Sequence, residues 1–254
     1  MRIPFRKAGI TLAFISFAII VAGCAEDKVI TKKQSLAKQN LGKSFLAQGN
    51  FTAGLNELLK AEELDPENPE IQNDLALAYM IMDMHSKSIT HFKRAIKLRP
   101  NFSEAYNNLG NTYLILSKWD LAIKCFEKAL GNTLYATPHF AYNNLGYAYY
   151  KKGNFNKAVK NYRKAIQYQP SFSRAFHNLG IAYEAINEWD KAIDAYKESI
   201  RYAPKDPRSH FYLGKLYLKL QKSSLAIDKF EETIRLDKRN IYTPEAKQLL
   251  GKIK

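Results

Sequence analysis

One residue pattern recurs six times along the chain. In each copy a small residue is followed three positions later by an aromatic residue, and neighbouring copies are 34 residues apart except for one interval of 36. The small residues are Gly42, Ala76, Gly110, Gly146, Gly180 and Gly214, and the aromatic residues are Phe45, Tyr79, Tyr113, Tyr149, Tyr183 and Tyr217. Because all six copies stay in phase, the chain is predicted to fold as a row of similar units.

The copy at residues 142–170 shows what one unit contains. Gly146 lies among apolar residues at helical spacing, Gly153 marks a turn, and Ala158 and Tyr162 recur at helical spacing after it. This order predicts two amphipathic helices joined by a tight turn. A small residue on each helix lets the two helices approach closely, and aromatic side chains fill the space around their crossing.

Two further positions recur in the second half of the units. The repeated alanines are Ala61, Ala95, Ala129 and Ala165, and the closing prolines are Pro66, Pro100, Pro170 and Pro204. The whole pattern resembles the tetratricopeptide repeat (TPR) over almost the entire mature chain. The resemblance implies an all-α fold, a right-handed TPR superhelix (α-solenoid) of six helix-turn-helix repeats over residues 35–242, with the first helices lining the concave side.

Residues 243–254 are predicted to form a C-terminal capping helix. Thr243 before Pro244 is typical of a helix N-cap followed by proline at the first helical position. The apolar residues that follow form one stripe, and lysines lie outside it. A terminal repeat needs such a helix because its apolar face would otherwise meet water.

The first 23 residues are predicted to be an export signal. Basic residues precede an apolar run from Ala8 to Ala22, which is shorter than the ~20 residues that a membrane-spanning helix needs. The run ends in VAGC, which resembles the lipobox of bacterial lipoproteins and implies cleavage before Cys24 and lipidation of that cysteine. The alternative is an uncleaved anchor with an incidental cysteine. Residues 24–34 are polar and are predicted to form a lipidated tether.

The formal net charge of +15 bears on the choice of partner. A basic chain is compatible with nucleic acid, but an export signal argues against that partner. The positive charge then serves solubility, or attracts anionic lipid headgroups or an acidic protein. Ala25 stands where an aspartate would signal inner-membrane retention in enterobacterial lipoproteins. The lipoprotein resemblance therefore implies the periplasmic face of the outer membrane.

No residues have the spacing of a catalytic site, so the chain is predicted not to be an enzyme and to need no cofactor or metal. His177 and His210 fall near register on adjacent first helices and are interpreted as exposed groove residues. Cys125 is predicted to pack as a small apolar residue. Leu134 and Tyr135, in the one junction that is two residues longer, either tuck against their neighbours or contact a partner.

A partner-binding groove is predicted on the concave side, at fixed offsets from the small residues. Its residues are Asn73, Leu77, Asn107, Asn111, Asn144, Tyr147, Tyr150, Arg174, His177 and Ile181. Asparagines can hydrogen-bond an extended peptide or a helix, while tyrosine, leucine and isoleucine accept apolar side chains. Many TPR repeats keep asparagine for structural reasons at the positions of Asn108, Asn144 and Asn178, so some of these asparagines are expected to be structural.

One TPR sub-family clamps a C-terminal carboxylate with basic and asparagine side chains from three units. Asn111, Asn144 and Arg174 stand at matching places in this chain. Asn107 and Asn178, however, replace two of the cations. The carboxylate clamp is therefore predicted to be absent.

Six TPR units behind a lipobox resemble the outer-membrane lipoproteins that assist type IV pilus assembly, the pilotin family for the pilus secretin. The resemblance implies a tethered chaperone that grips secretin subunits in its groove. The alternative is a periplasmic TPR adaptor that scaffolds cell-wall enzymes. In both cases the partner is an envelope protein.

Overall fold

The computed structural model describes residues 29–253, and every regular element in that range is an α-helix. The helices are α1 (29–47), α2 (Phe51–Leu64), α3 (Pro69–Ile81), α4 (His85–Leu98), α5 (Ser103–Ile115), α6 (Trp119–Leu130), α7 (Pro138–Lys151), α8 (Phe155–Tyr168), α9 (Ser173–Ala185), α10 (Trp189–Tyr202), α11 (Pro207–Lys219), α12 (Ser223–Leu236) and α13 (Thr243–Ile253). The predicted signal and Cys24 lie outside the described residues. The described chain forms two compact units that meet between Ala105 and Tyr106, within the first turn of α5.

The first unit is built from α1 to α4. The core of this unit consists of Leu58, Ile71 and Leu75, and α2 packs against α3. Helix α1 is joined to α2 by a hydrogen bond of 2.9 Å from the Ser35 hydroxyl to the carbonyl of Ala61. These contacts give two antiparallel helical hairpins, α1 with α2 and α3 with α4.

The predicted tether is wrong in its C-terminal part, because α1 begins at residue 29 and not after residue 34. Nothing between residues 29 and 41 is a glycine or a proline, and lysine, glutamine, leucine and alanine favour a helix there. The buried hydroxyl of Ser35 anchors this helix to α2. The lack of apolar periodicity before residue 35 therefore does not mark where α1 starts.

In the second unit, the small residue of each first helix seats an aromatic ring from the following helix. A Cβ atom built on the glycine would lie 2.5 to 2.9 Å from a ring carbon in all four cases, too close for any side chain. The pairs are Gly110 with Phe126, Gly146 with Tyr162, Gly180 with Tyr196 and Gly214 with Phe230. All four rings are almost completely buried. The glycine thus fixes how closely the two helices of a hairpin approach.

The turn inside each hairpin has the same backbone geometry. One residue has a left-handed conformation, with φ between 55° and 80°. These residues are Gly49, Asp83, Ser117, Gly153, Asn187 and Gln221. The N–H of the next residue donates to the carbonyl of the repeated aromatic residue, as from Asn154 to Tyr149 at 2.9 Å. This is the Schellman ending of a helix, and it turns the chain back toward the first helix.

Helix α13 packs on α12 at the C-terminal end of the second unit. The carboxylate of Asp237 accepts hydrogen bonds from the N–H groups of Tyr242, at 2.6 Å, and Thr243, at 2.9 Å. Burial acts to raise the pKa of Asp237, but these N–H donors lower it overall. The prediction that Thr243 caps the helix is wrong, because the hydroxyl of Thr243 itself donates to Asp237.

The two apolar residues in the longer junction between α6 and α7 differ in how far they are buried. Tyr135 is buried against Ala129 and Ala141, whereas the side chain of Leu134 is 88% exposed. Tyr135 is therefore tucked in, and Leu134 faces solvent. Cys125, on α6, is buried.

Replacing Gly180 by alanine is expected to lower the free energy of unfolding by about 1–3 kcal/mol, because the new methyl group would overlap the ring of Tyr196. The measurement is urea unfolding followed by circular dichroism. Gly251→Ala is the matched control, since no atom lies within 4 Å of its built Cβ. Alanine favours a helix at that position by up to about 1 kcal/mol. Equal destabilisation by both changes would contradict the seating of the ring.

Candidate protein-binding surface

A ladder of polar side chains joins the first helices of neighbouring repeats in the second unit. The residue three before the small residue of one repeat contacts the residue two before it in the next repeat. The amide of Asn144 donates to Asn107 at 3.3 Å, and the amide of Asn178 donates to Asn143 at 2.9 Å. Asn144 also donates to Asn111 at 2.8 Å. These bonds satisfy buried amides and fix the register between successive hairpins.

The same positions pair in two other places, with different chemistry. In the first unit, the amide of Gln39 donates to Asp74 at 2.7 Å. In the second unit, the ring of His177 meets the ring of Tyr212 edge-on, with the centroids 5.1 Å apart. The ladder is therefore a feature of the repeat positions and not of asparagine alone.

His177 is buried in this ladder, with 7% of its surface exposed. Its Nδ1 lies 2.9 Å from the hydroxyl of Ser209. Burial lowers the pKa of His177 to about 4, and Arg208 acts in the same direction. His210 is also buried, with Nε2 3.2 Å from the carbonyl of Pro204. The interpretation of these two histidines as exposed groove residues is wrong, because each packs inside its repeat.

Four tyrosines and one carboxylate lie on the first helices and on α10 of the second unit. We call Tyr147, Tyr150, Tyr196, Tyr212 and Glu184 the tyrosine face. The side chain of Tyr147 is 37% exposed, and Tyr150 is half-buried. Burial raises the pKa of Tyr150, and the carboxylate of Glu184 acts in the same direction. The rings of Tyr196 and Tyr212 lie 6.3 Å apart between their centroids. Tyr147, Tyr150, Tyr212 and Glu184 therefore supply the exposed part of this face, and the buried Tyr196 supports Glu184 from below.

Glu184 is held in place by the second helix of its own hairpin. The hydroxyl of Tyr196 donates to its carboxylate at 2.5 Å. Burial raises the pKa of Glu184, while the hydrogen bond from Tyr196 and the charges of Lys219 and Lys215 lower it in part. A half-buried acid beside tyrosine hydroxyls can accept hydrogen bonds from a partner's N–H groups.

The groove predicted from the sequence contains Tyr147 and Tyr150, whereas Tyr196 and Tyr212 are not in it. Glu184 stands at the same offset from the small residue as Tyr150, so the repeat pattern contains the signal for it. Tyr196 occupies a core position of the second helix α10. The repeat pattern gives no sign that its hydroxyl reaches Glu184 on α9.

The predicted groove residues have different environments. Asn73 and Leu77 belong to the first unit, and the other eight belong to the second. Asn73 is buried like Asn107 and His177, whereas Asn111, Asn144 and Ile181 are partly exposed. Ile181 packs against the C-terminal core, and Arg174 is exposed in the first turn of α9. Surface for a partner in the second unit therefore comes mainly from the tyrosines and from their partly exposed neighbours.

The chemistry of the tyrosine face suits a peptide or a helix of another protein. Tyrosine offers a broad apolar ring and a hydroxyl that both donates and accepts. Such residues are enriched where proteins bind one another, because they bury much area and lose little side-chain entropy. In residues 29–253, no three side chains of histidine, cysteine, aspartate or glutamate are arranged to hold a metal ion.

The chain belongs to the tetratricopeptide-repeat family. The family description "TPR repeat" matches residues 42–82, 146–187 and 185–221, and "tetratricopeptide repeat" matches residues 69–102 and 103–131. No curated protein matches the chain. TPR units are protein-interaction scaffolds, and stacked repeats provide extended concave surfaces for binding.

Several solved structures resemble this chain. PilF of Pseudomonas aeruginosa has a TM-score of 0.76 at 17% identity, and the match covers 86% of this chain and 99% of PilF. PilW, described as a widely conserved type IV pilus biogenesis factor, has a TM-score of 0.77 at 22% identity, over 85% of this chain and 98% of PilW. YrrB, described as a TPR protein with an unusual peptide-binding site, has a TM-score of 0.57 at 18% identity. The match covers 75% of this chain and 97% of YrrB. At these identities the likeness establishes the fold.

The burial of His177 predicts a pH dependence of stability. The imidazole has a pKa of about 4 in the folded chain and 6.5 as its ordinary value. The unfolded chain therefore binds the proton first, and the free energy of unfolding falls as pH decreases from 6.5 towards 4, by up to roughly 3 kcal/mol. His177→Gln should reduce this fall in urea titrations at both pH values. An NMR titration that places the pKa of His177 near 6.5 would contradict the assignment.

Proposed function

We propose that this chain is a non-enzymatic scaffold that binds an envelope protein through the tyrosine face and assists type IV pilus secretin assembly or localisation. The observation that carries the proposal is the tyrosine face itself, in which Tyr147, Tyr150, Tyr212 and Glu184 of the first helices keep exposed surface. The ladder beneath it holds those helices in register, so the patch is preformed. Preformed surfaces lose less entropy on binding than surfaces that must order first.

The choice of partner is supported by the pilotin resemblance and by the structural likeness to PilF and PilW. PilW is described as a type IV pilus biogenesis factor, and the two matches cover 99% of PilF and 98% of PilW. We therefore propose a secretin subunit as the protein that docks on the tyrosine face. Asn111, Asn144, Arg174 and Ile181 are the other predicted groove residues of the second unit that retain exposed surface, and they are proposed as further contacts. Leu77, in the first unit, also retains exposed surface and is proposed as a contact of that unit by itself.

A lipid anchor on Cys24 is proposed to hold the scaffold at the periplasmic face of the outer membrane. No helix within residues 29–253 is both long and apolar enough to cross a bilayer. Cys24→Ser should move the protein from the membrane fraction to the soluble fraction, because several acyl chains, at about 0.8 kcal/mol per buried CH₂, would be lost. The measurement is fractionation of cells followed by immunoblotting. Full membrane retention of the variant would contradict lipidation at this residue.

Replacing both Tyr147 and Tyr150 by alanine should weaken secretin binding by about tenfold or more, because two aromatic contacts at an interface are lost. The measurement is co-purification of the secretin from detergent-solubilised envelopes, with circular dichroism to show that the helices are kept. Tyr168→Ala is the matched control, since this tyrosine is exposed at the end of α8, outside the tyrosine face.

Unchanged recovery of the secretin by the double variant would place the binding site elsewhere. Recovery of cell-wall synthases or hydrolases in place of the secretin would contradict the pilus role and support the adaptor function instead. Normal secretin rings in a deletion strain would also remove the pilus role.

A further inference from the structure

A cavity lies between two loops at the C-terminal end of the second unit. Its volume is about 970 Å³, and its walls come from the α10–α11 loop, the start of α11, the end of α12 and the α12–α13 loop. It includes none of the residues of the tyrosine face. The volume is in the range of pockets that hold a small ligand or a short peptide segment, roughly 300–1,000 Å³.

The walls of this cavity carry an excess of positive charge. Two of its cations are paired, since Arg208 binds the carboxylate of Asp206 and Arg235 binds that of Glu232. The third acid, Asp237, is occupied by the N–H groups at the start of α13. No acid in this cavity is therefore left to balance the remaining cations.

Three lysine and arginine residues on the cavity wall form no ion pair within residues 29–253: Lys205, Lys238 and Arg239. All three are exposed. Arg208 adds a guanidinium that is fixed in position, because its Nε and Nη2 donate to Asp206 and its Nη1 group is turned away from that acid. Fixed guanidinium groups are well suited to carboxylates.

The same cavity has an apolar wall. The side chain of Ile241 is 62% exposed. The ring of Tyr242 packs on Phe211, with the ring centroids 5.1 Å apart, and so forms a rigid surface beside Ile241. An exposed isoleucine next to a fixed aromatic ring is a natural contact for an apolar side chain of a ligand.

We propose that this cavity binds an acidic peptide segment of a partner protein, in which carboxylates flank an apolar side chain. The carboxylates meet Lys205, Lys238 and Arg239, and the apolar side chain packs on Ile241 and Tyr242. The concave shape favours a peptide over an anionic bilayer, because a flat surface cannot enter a cavity. The site is independent of the tyrosine face, and its test stands whether or not the chain binds a secretin.

The test uses the purified full-length chain and a fluorescein-labelled octapeptide in which glutamate and leucine alternate. Fluorescence anisotropy gives the dissociation constant. The same peptide with glutamine in place of glutamate should bind about tenfold more weakly, because two or three ion pairs of modest strength are lost. Equal binding of the two peptides would overturn the charge recognition.

Variants then locate the site. Lys238→Glu with Arg239→Glu should weaken binding of the glutamate peptide by about tenfold, by repulsion of its carboxylates. Lys124→Glu with Lys128→Glu is the matched control, since it makes the same change in net charge on the exposed side of α6, and it should weaken binding less than about twofold. Equal loss in both variants would mean diffuse attraction and would overturn the site.

Two further experiments test the apolar wall and the alternative of a lipid bilayer. Ile241→Ser should weaken the peptide severalfold, whereas Leu225→Ser, at an exposed leucine on α12, should not. Vesicles of phosphatidylcholine mixed with phosphatidylglycerol test the membrane. Vesicle binding that depends on Lys238 and Arg239, with no binding of the octapeptide, would overturn the proposal in favour of a lipid surface. Absence of any binding to either probe would also overturn it.

Discussion

The contact between a glycine on one helix and an aromatic ring on the next is what the rest of the second unit depends on. Each of the four glycines leaves a space that a ring fills almost completely, and any side chain at the glycine would overlap that ring. Burial of one such ring contributes about 1.5–3 kcal/mol, and each hairpin buries its own. In the first unit, the same position holds Ala76, which is completely buried. The close approach of the two helices at the glycine then fixes the position of the second helix and of the turn that leads to it.

The ladder of polar side chains carries this geometry from one hairpin to the next. Asparagine suits the task, because its amide donates and accepts at once and so bridges two helices. The cost is that amides such as Asn107 and Asn143, which look like ligands for a peptide, are used inside the fold. We propose that recognition of a partner falls to the tyrosine face instead, where Tyr147 is 37% exposed and Tyr150 is half-buried.

Much of the fold follows from the period of the sequence, and the structure has the helices where the pattern predicts them. The sequence period does not predict the start of α1, because this start depends on the contact of Ser35 with α2 and not on a periodic stripe. Local capping rules point to Thr243 because they consider only residues next to the start of a helix. The residue that accepts the N–H groups of α13 is Asp237, six residues before Thr243. His177 was placed on the surface because sequence offsets do not reveal that Ser209 and Tyr212 enclose it. The offset from the small residue predicts Glu184, but only the structure shows the hydrogen bond that Tyr196 donates to it.

The most direct test of the account is photo-crosslinking in living cells from the tyrosine face. Tyr147 is replaced by p-benzoylphenylalanine, which is close to tyrosine in shape, and Lys93, exposed on α4, receives the same substitution as a control. The account predicts that irradiation links position 147, and not position 93, to the pilus secretin, identified by mass spectrometry. Capture of the secretin equally from both positions, or only from position 93, would contradict a binding surface formed by the tyrosine face.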